Sequence, residues 1–81
     1  RAYPNPFNPV TTIQYGLPVD AAVNIIIYDL QGRIAAELVS GMQTAGYYTL
    51  KWDASDQASG IYFVKMMTPE FTKTQKLMLV K

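Results

Sequence analysis

Eighty-one residues, 49% apolar and 16% charged, are enough for one small globular unit with a modest core and too apolar for a disordered tail. Seven basic residues against six acidic ones give a net charge of +1, which leaves no basic footprint for nucleic acid and no polybasic patch for a membrane surface. The chain has neither cysteine nor histidine, which excludes thiol nucleophiles, disulfides, zinc–thiolate centres and imidazole acid–base chemistry.

Residues 3–9, Tyr-Pro-Asn-Pro-Phe-Asn-Pro, hold three of the five prolines and read as an extended edge or lead-in segment, because proline fixes φ and removes a ladder donor. Residues 11–17 alternate, with Ile13, Tyr15 and Leu17 on one face and Thr12 and Gln14 on the other. Leu17 to Asp20 is a turn. Residues 22–30 are the strongest strand: Val23, Ile25 and Ile27 share a face, and Ile26 and Tyr28 point the other way. Asp29-Leu30-Gln31-Gly32 reads as a tight turn, with glycine at positive φ and the aspartate bonding amides two residues on. Arg33 to Val39 returns as the hairpin partner, with Ile34, Ala36 and Leu38 expected on one side. Ser40 to Gly46 is read as loop. Residues 47–52 set Tyr48, Leu50 and Trp52 against Tyr47, Thr49 and Lys51. Asp53 to Gly60 is a polar loop. Ile61 to Met67 places Tyr62, Val64 and Met66 on the core side, opposite Ile61, Phe63, Lys65 and Met67. Thr68-Pro69-Glu70 makes the last turn, and Phe71 to Lys81 is the closing strand.

Six clear strands plus the proline-rich first one predict an all-β fold, an antiparallel sandwich of about seven strands, as one domain over residues 1–81. The longest apolar runs are four residues, among them Ile25 to Tyr28 and Leu77 to Val80, whereas a membrane-spanning helix needs about 20. No signal peptide is visible at Arg1, so the chain is expected to be a piece of a longer protein with any export signal upstream.

The candidate chemistry is sparse. Of Asp20, Asp29, Glu37, Asp53, Asp56 and Glu70, all but Glu37 fall in or beside predicted turns, where carboxylates shape the backbone, so no catalytic residue is assigned and no enzymatic activity is expected. Asp53 and Asp56 offer oxygen ligands to calcium but fall short of the usual six to eight, so no metal or cofactor is assigned. Tyr47, Tyr48, Trp52, Tyr62 and Phe63 would suit a sugar-stacking platform, yet alternation puts Tyr48, Trp52 and Tyr62 on core faces. Ile26, Phe63 and Tyr47 are left pointing outward, where several on one sheet would suggest docking against a neighbour. The last six residues, Lys76-Leu77-Met78-Leu79-Val80-Lys81, are an apolar strand clamped between lysines: a plain closing strand, or a terminus that something reads.

In order along the chain stand Tyr3 to Pro9, then Thr12-Ile13-x-Tyr15-x-Leu17-Pro18, then Val23-x-Ile25-x-Ile27-Tyr28-Asp29-Leu30-x-Gly32-Arg33. Gly46 follows ahead of Trp52-Asp53, then Ser59-Gly60-Ile61-Tyr62, and finally Lys76-Leu77-x-Leu79-x-Lys81. The set resembles the type A C-terminal sorting domain of the type IX secretion system, and is similar to the immunoglobulin-like domain of the flagellar hook-capping protein. The segment Trp52 to Gly60 looks shorter than in the flagellar relatives, which favours the sorting family.

The resemblance implies an immunoglobulin-like sandwich without chemistry of its own. It sits at the C-terminus of exported proteins in Bacteroidetes-like bacteria and is covalently linked to an upstream cargo domain. The domain passes through the periplasm, is recognised by an outer-membrane translocon, and in many members is removed by a surface sortase-like protease that attaches the cargo to the cell surface. Carried over by position, the terminal strand Lys76, Leu77, Met78, Leu79, Val80 and Lys81 is the expected recognition segment, by strand addition to free ladder groups or through its charges. Tyr28, Asp29, Gly32 and Arg33 form the accompanying motif turn. An accessory carbohydrate-binding module and a passive spacer of a secreted enzyme remain the alternatives at this point.

Overall fold

The computed structural model describes residues 2–81, which form seven strands: β1 (Ala2–Tyr3), β2 (Val10–Leu17), β3 (Ala21–Asp29), β4 (Ile34–Gln43), β5 (Gly46–Asp53), β6 (Gly60–Met67) and β7 (Thr72–Leu79). They make two antiparallel sheets, one of three strands in the order β1-β2-β5 and one of four in the order β4-β3-β6-β7. This is the all-β antiparallel sandwich that the strand count and spacing predict, in the immunoglobulin-like form that the resemblance implies. Among the described residues no helix is long and apolar enough to cross a membrane.

Period-two alternation supplies the core. Val23, Ile25 and Ile27 of β3 and Tyr62, Val64 and Met66 of β6 are all buried, and Leu77 and Leu79 of β7 complete that layer. From the opposite sheet come Ile13, Leu17 and Trp52. Trp52 is 5% exposed and sits between two rings, Phe7 at 5.6 Å and Tyr62 edge-on at 5.4 Å. Burying each aliphatic side chain of this set stabilises by about 1.5–3 kcal/mol relative to exposure.

Two tyrosines lock loops onto strands. The Tyr62 hydroxyl donates to the Ala58 carbonyl at 2.6 Å, the tyrosine-corner arrangement of immunoglobulin-like sandwiches. The Tyr48 hydroxyl donates to the Thr44 carbonyl at 2.6 Å in the same four-residue reach, while its ring stacks on Tyr15. Asp20 joins two loops by accepting the Ala45 amide at 2.8 Å.

Three expectations are corrected. Ser40 to Gln43 is strand, not loop: β4 runs through Gln43, pairing Ser40 with Asn24 and Gln43 with Ala21. Gly41, the residue that suggested a loop, lies inside the ladder opposite Val23. Ile34, Ala36 and Leu38 do not share a side. The pairing of β4 with β3 slips twice, between Ile25 and Ile26 and between Ile27 and Tyr28, and each bulge resets the alternation. Ile34 therefore faces out, 61% exposed, while Ala36 and Leu38 pack against the core. The proline-rich segment is not a regular strand over residues 3–9. Only Ala2–Tyr3 pairs with β2, and the chain then wraps so that Phe7, 2% exposed, plugs the core beside Trp52.

Candidate functional site

The site begins with the β3–β4 turn. Asp29 accepts the amides of Gln31 and Arg33 on Oδ1, each at 2.9 Å, and the Arg33 Nε on Oδ2 at 2.8 Å. The Gly32 amide donates to the Asp29 carbonyl at 3.0 Å, and Gly32 takes a φ of 85°, a left-handed conformation suited to glycine. Partial desolvation pushes the Asp29 carboxyl up, but the Arg33 amide and guanidinium and the Gln31 amide outweigh it and hold the group below its ordinary value. Aspartate at this position thus makes a hairpin corner with its charge already engaged, and Arg33 stays largely in solvent.

The strand register carries this turn toward the last residues of the chain. Asp29 lies opposite Tyr62, and Tyr62 lies opposite Leu77. Asp29 and Leu77 are therefore two strand spacings apart, about 10 Å. One residue along, Ile34, Tyr28, Phe63 and Lys76 form a row on the outer face of the four-stranded sheet. A shallow depression of about 480 Å³, lined by Tyr28, Leu30, Phe63, Lys65 and Thr74, lies across it. Leu30 and Ile34 are exposed, so the turn adds an apolar shoulder to that face. Of the residues expected to point outward, Ile26 and Phe63 are half-buried on this sheet, whereas Tyr47 is 95% exposed on the other.

The terminal segment divides by face. Leu77 and Leu79 are fully buried, whereas Lys76, Met78, Val80 and Lys81 are exposed. Its outer edge does not offer free ladder groups, which corrects the expectation of strand addition there. The Phe7 amide donates to the Met78 carbonyl and the Val80 amide donates to the Phe7 carbonyl, both at 2.9 Å. Asn5 serves the same edge with its side chain, accepting the Met78 amide at 3.0 Å and donating to the Lys76 carbonyl at 2.8 Å. Lys81 is tied as well, its amide to the Ser59 hydroxyl at 3.1 Å and its Nζ to the Ser55 carbonyl at 2.7 Å. What the segment shows to solvent is side chains on a fixed backbone.

Asn5 and Phe7 are the residues that sequence reasoning missed. The available signal was a carboxamide and an aromatic inside a segment whose prolines cannot donate: such a stretch covers an edge through side chains and the few amides it has.

The other candidates fall into structural roles. Trp52 and Tyr62 are core, and Tyr48 is half-buried against Tyr15, so the five aromatics do not assemble into one platform. Asp53 Oδ1 accepts the Ser55 amide at 3.0 Å, the work of a turn former, and no group of three carboxylates able to hold a metal gathers among the described residues.

A family model describing the secretion system C-terminal sorting domain matches residues 1–81. The chain belongs to that family. No curated protein and no solved structure matches it. The family is that of type IX secretion, so this sorting domain is a signal carried by a secreted protein and working together with a cargo domain and the secretion system.

Proposed function

We propose that residues 1–81 form one non-catalytic domain that directs its cargo through the type IX system across the outer membrane to cell-surface attachment. The partners are the translocon, which reads the folded domain, and a surface sortase-like protease. The route runs through the periplasm to the cell surface or the medium. The translocon reads Lys76 to Lys81 through the outward side chains of Lys76, Met78, Val80 and Lys81, and Leu77 and Leu79 hold that row in place. Tyr28, Asp29, Gly32 and Arg33 shape the neighbouring turn of the same surface.

The supporting observation is the combination of outward lysines and methionine with a backbone already bonded to Asn5, Phe7 and Ser59. Such a segment is presented preorganised, which lowers the ordering cost of recognition. A reporter carrying a signal peptide and residues 1–81 at its C-terminus tests the sorting role in a type IX-competent bacterium. The proposal predicts surface reporter in that strain and periplasmic reporter in a translocon-deficient one. Equal surface signal in both strains would sink it.

A further inference from the structure

A groove with an apolar floor lies along the open side of the sandwich, bordering the outer-face depression at Thr74. It measures about 380 Å³ and is floored by Ile13, Ile25, Val64 and Met66, with Gly16 on one rim and Thr74 on the other. Both rims are strand edges. In β2 the Pro9 carbonyl accepts the Ala54 amide, so odd-numbered residues bond toward β5, and the main-chain groups of Thr12, Gln14 and Gly16 turn toward β1. In β7 the Met78 main chain turns outward to Phe7, so those of Thr74 and Thr72 turn outward too. Asn5 and Phe7 cover the edge from Lys76 to Val80, and Thr72 and Thr74 lie beyond their reach. Strand β1, which sits at the foot of the groove, is two residues long beside the eight-residue β2.

We infer that the groove is filled by the polypeptide immediately upstream of this domain, the linker from the cargo, which continues β1 antiparallel along β2. The inference rests on the family assignment only for the existence of a preceding cargo chain. The direction is already set: Ala2 lies opposite Ile13 and Tyr3 opposite Thr12, so each residue further upstream advances one position along β2. The third residue before Ala2 arrives opposite Gly16 and exchanges both main-chain bonds with it. The facing is set as well. Ala2 is buried and Tyr3 exposed, so the second and fourth residues before Ala2 point down onto the apolar floor.

A tethered strand meets none of the association cost that a strand from another molecule would meet, which is why the linker is the occupant. The linker side chains at those two positions would lie over the floor of Ile13, Ile25, Val64 and Met66. A protease needs its substrate extended and unpaired, so the linker must peel from β2 before it is cut near the domain.

Residue-resolved hydrogen exchange on the natural full-length protein tests this. The amides of Gly16 and of the third residue before Ala2 should exchange on the order of 100-fold more slowly than unstructured chain. Proline at that upstream position, which carries no amide of its own, should abolish the Gly16 protection, leave the Ile27 amide as slow as before, and raise the rate of proteolysis in the linker. Upstream amides that exchange at the unstructured rate would overturn the inference. So would Gly16 protection that survives the proline, or that falls on dilution, which would assign the groove to a strand of a second copy. Secretion is not the readout, so a failure here leaves the sorting role standing.

Discussion

At the scale of single residues, aromatic and carboxylate side chains that looked like chemistry turn out to fasten the fold. Trp52 is held between Phe7 and Tyr62, so Trp52→Ala should cost about 3–5 kcal/mol of stability, measurable by urea or thermal unfolding. Tyr47→Ala on the exposed side of the same strand should stay within about 0.5 kcal/mol. Equal effects of the two would contradict the core assignment. Tyr62→Phe removes only the hydroxyl that reaches Ala58 and should cost about 1 kcal/mol.

Asp29 adds a pH dependence. Its folded value lies below the ordinary aspartate value of 3.8, so its contribution is complete above that pH and is lost as pH falls through the lowered folded value. Asp29→Asn should flatten that acid limb when the unfolding midpoint is followed from pH 6 down to pH 2. An unchanged acid limb would show that the turn does not use the charge.

At the scale of elements, the decisive contact is between the proline-rich segment and β7. Asn5→Ala removes both side-chain bonds to the β7 edge, so the Met78 amide should lose hydrogen-exchange protection while the Leu77 amide, paired within the sheet, keeps it. The stability loss should be about 1–2 kcal/mol. Neither bond was legible in the sequence, because a carboxamide between prolines specifies an edge without saying which one.

Legibility followed local physics elsewhere too. β3 and β6 were readable because β-branched density and strict alternation need no information from distant residues. β4 was misread at both ends, since Gly41 sits in a regular ladder and the bulges turn Ile34 away from the face of Ala36 and Leu38. Bulges and the burial of Phe7 depend on the partner strand, and a period count along one segment carries none of that. The motif turn was correct in its chemistry because Asp29, Gly32 and Arg33 act within five residues. The spacing of that turn from Lys76 was set by β6, lying between them, and had no local signature.

At the scale of the whole molecule, the two sheets place the turn and the terminal segment on one surface and leave an open groove between β2 and β7. On the two proposals above, this arrangement would let the domain hold its cargo linker in the groove while presenting the recognition row on the outer face. It also explains why truncation is a poor probe: deleting Lys76 to Lys81 removes fully buried Leu77 and Leu79 and would unfold the sheet rather than erase a signal.

The most direct test substitutes outward side chains and leaves the core alone. Lys76→Glu with Met78→Glu alters the proposed recognition row, and Thr49→Glu with Lys51→Glu makes the same charge change on exposed positions of β5. Surface display of a reporter fused to each variant would be compared, with melting midpoints confirming that both fold. The account predicts that the first pair abolishes display and the second leaves it intact. Full display by the folded Lys76–Met78 variant would contradict it.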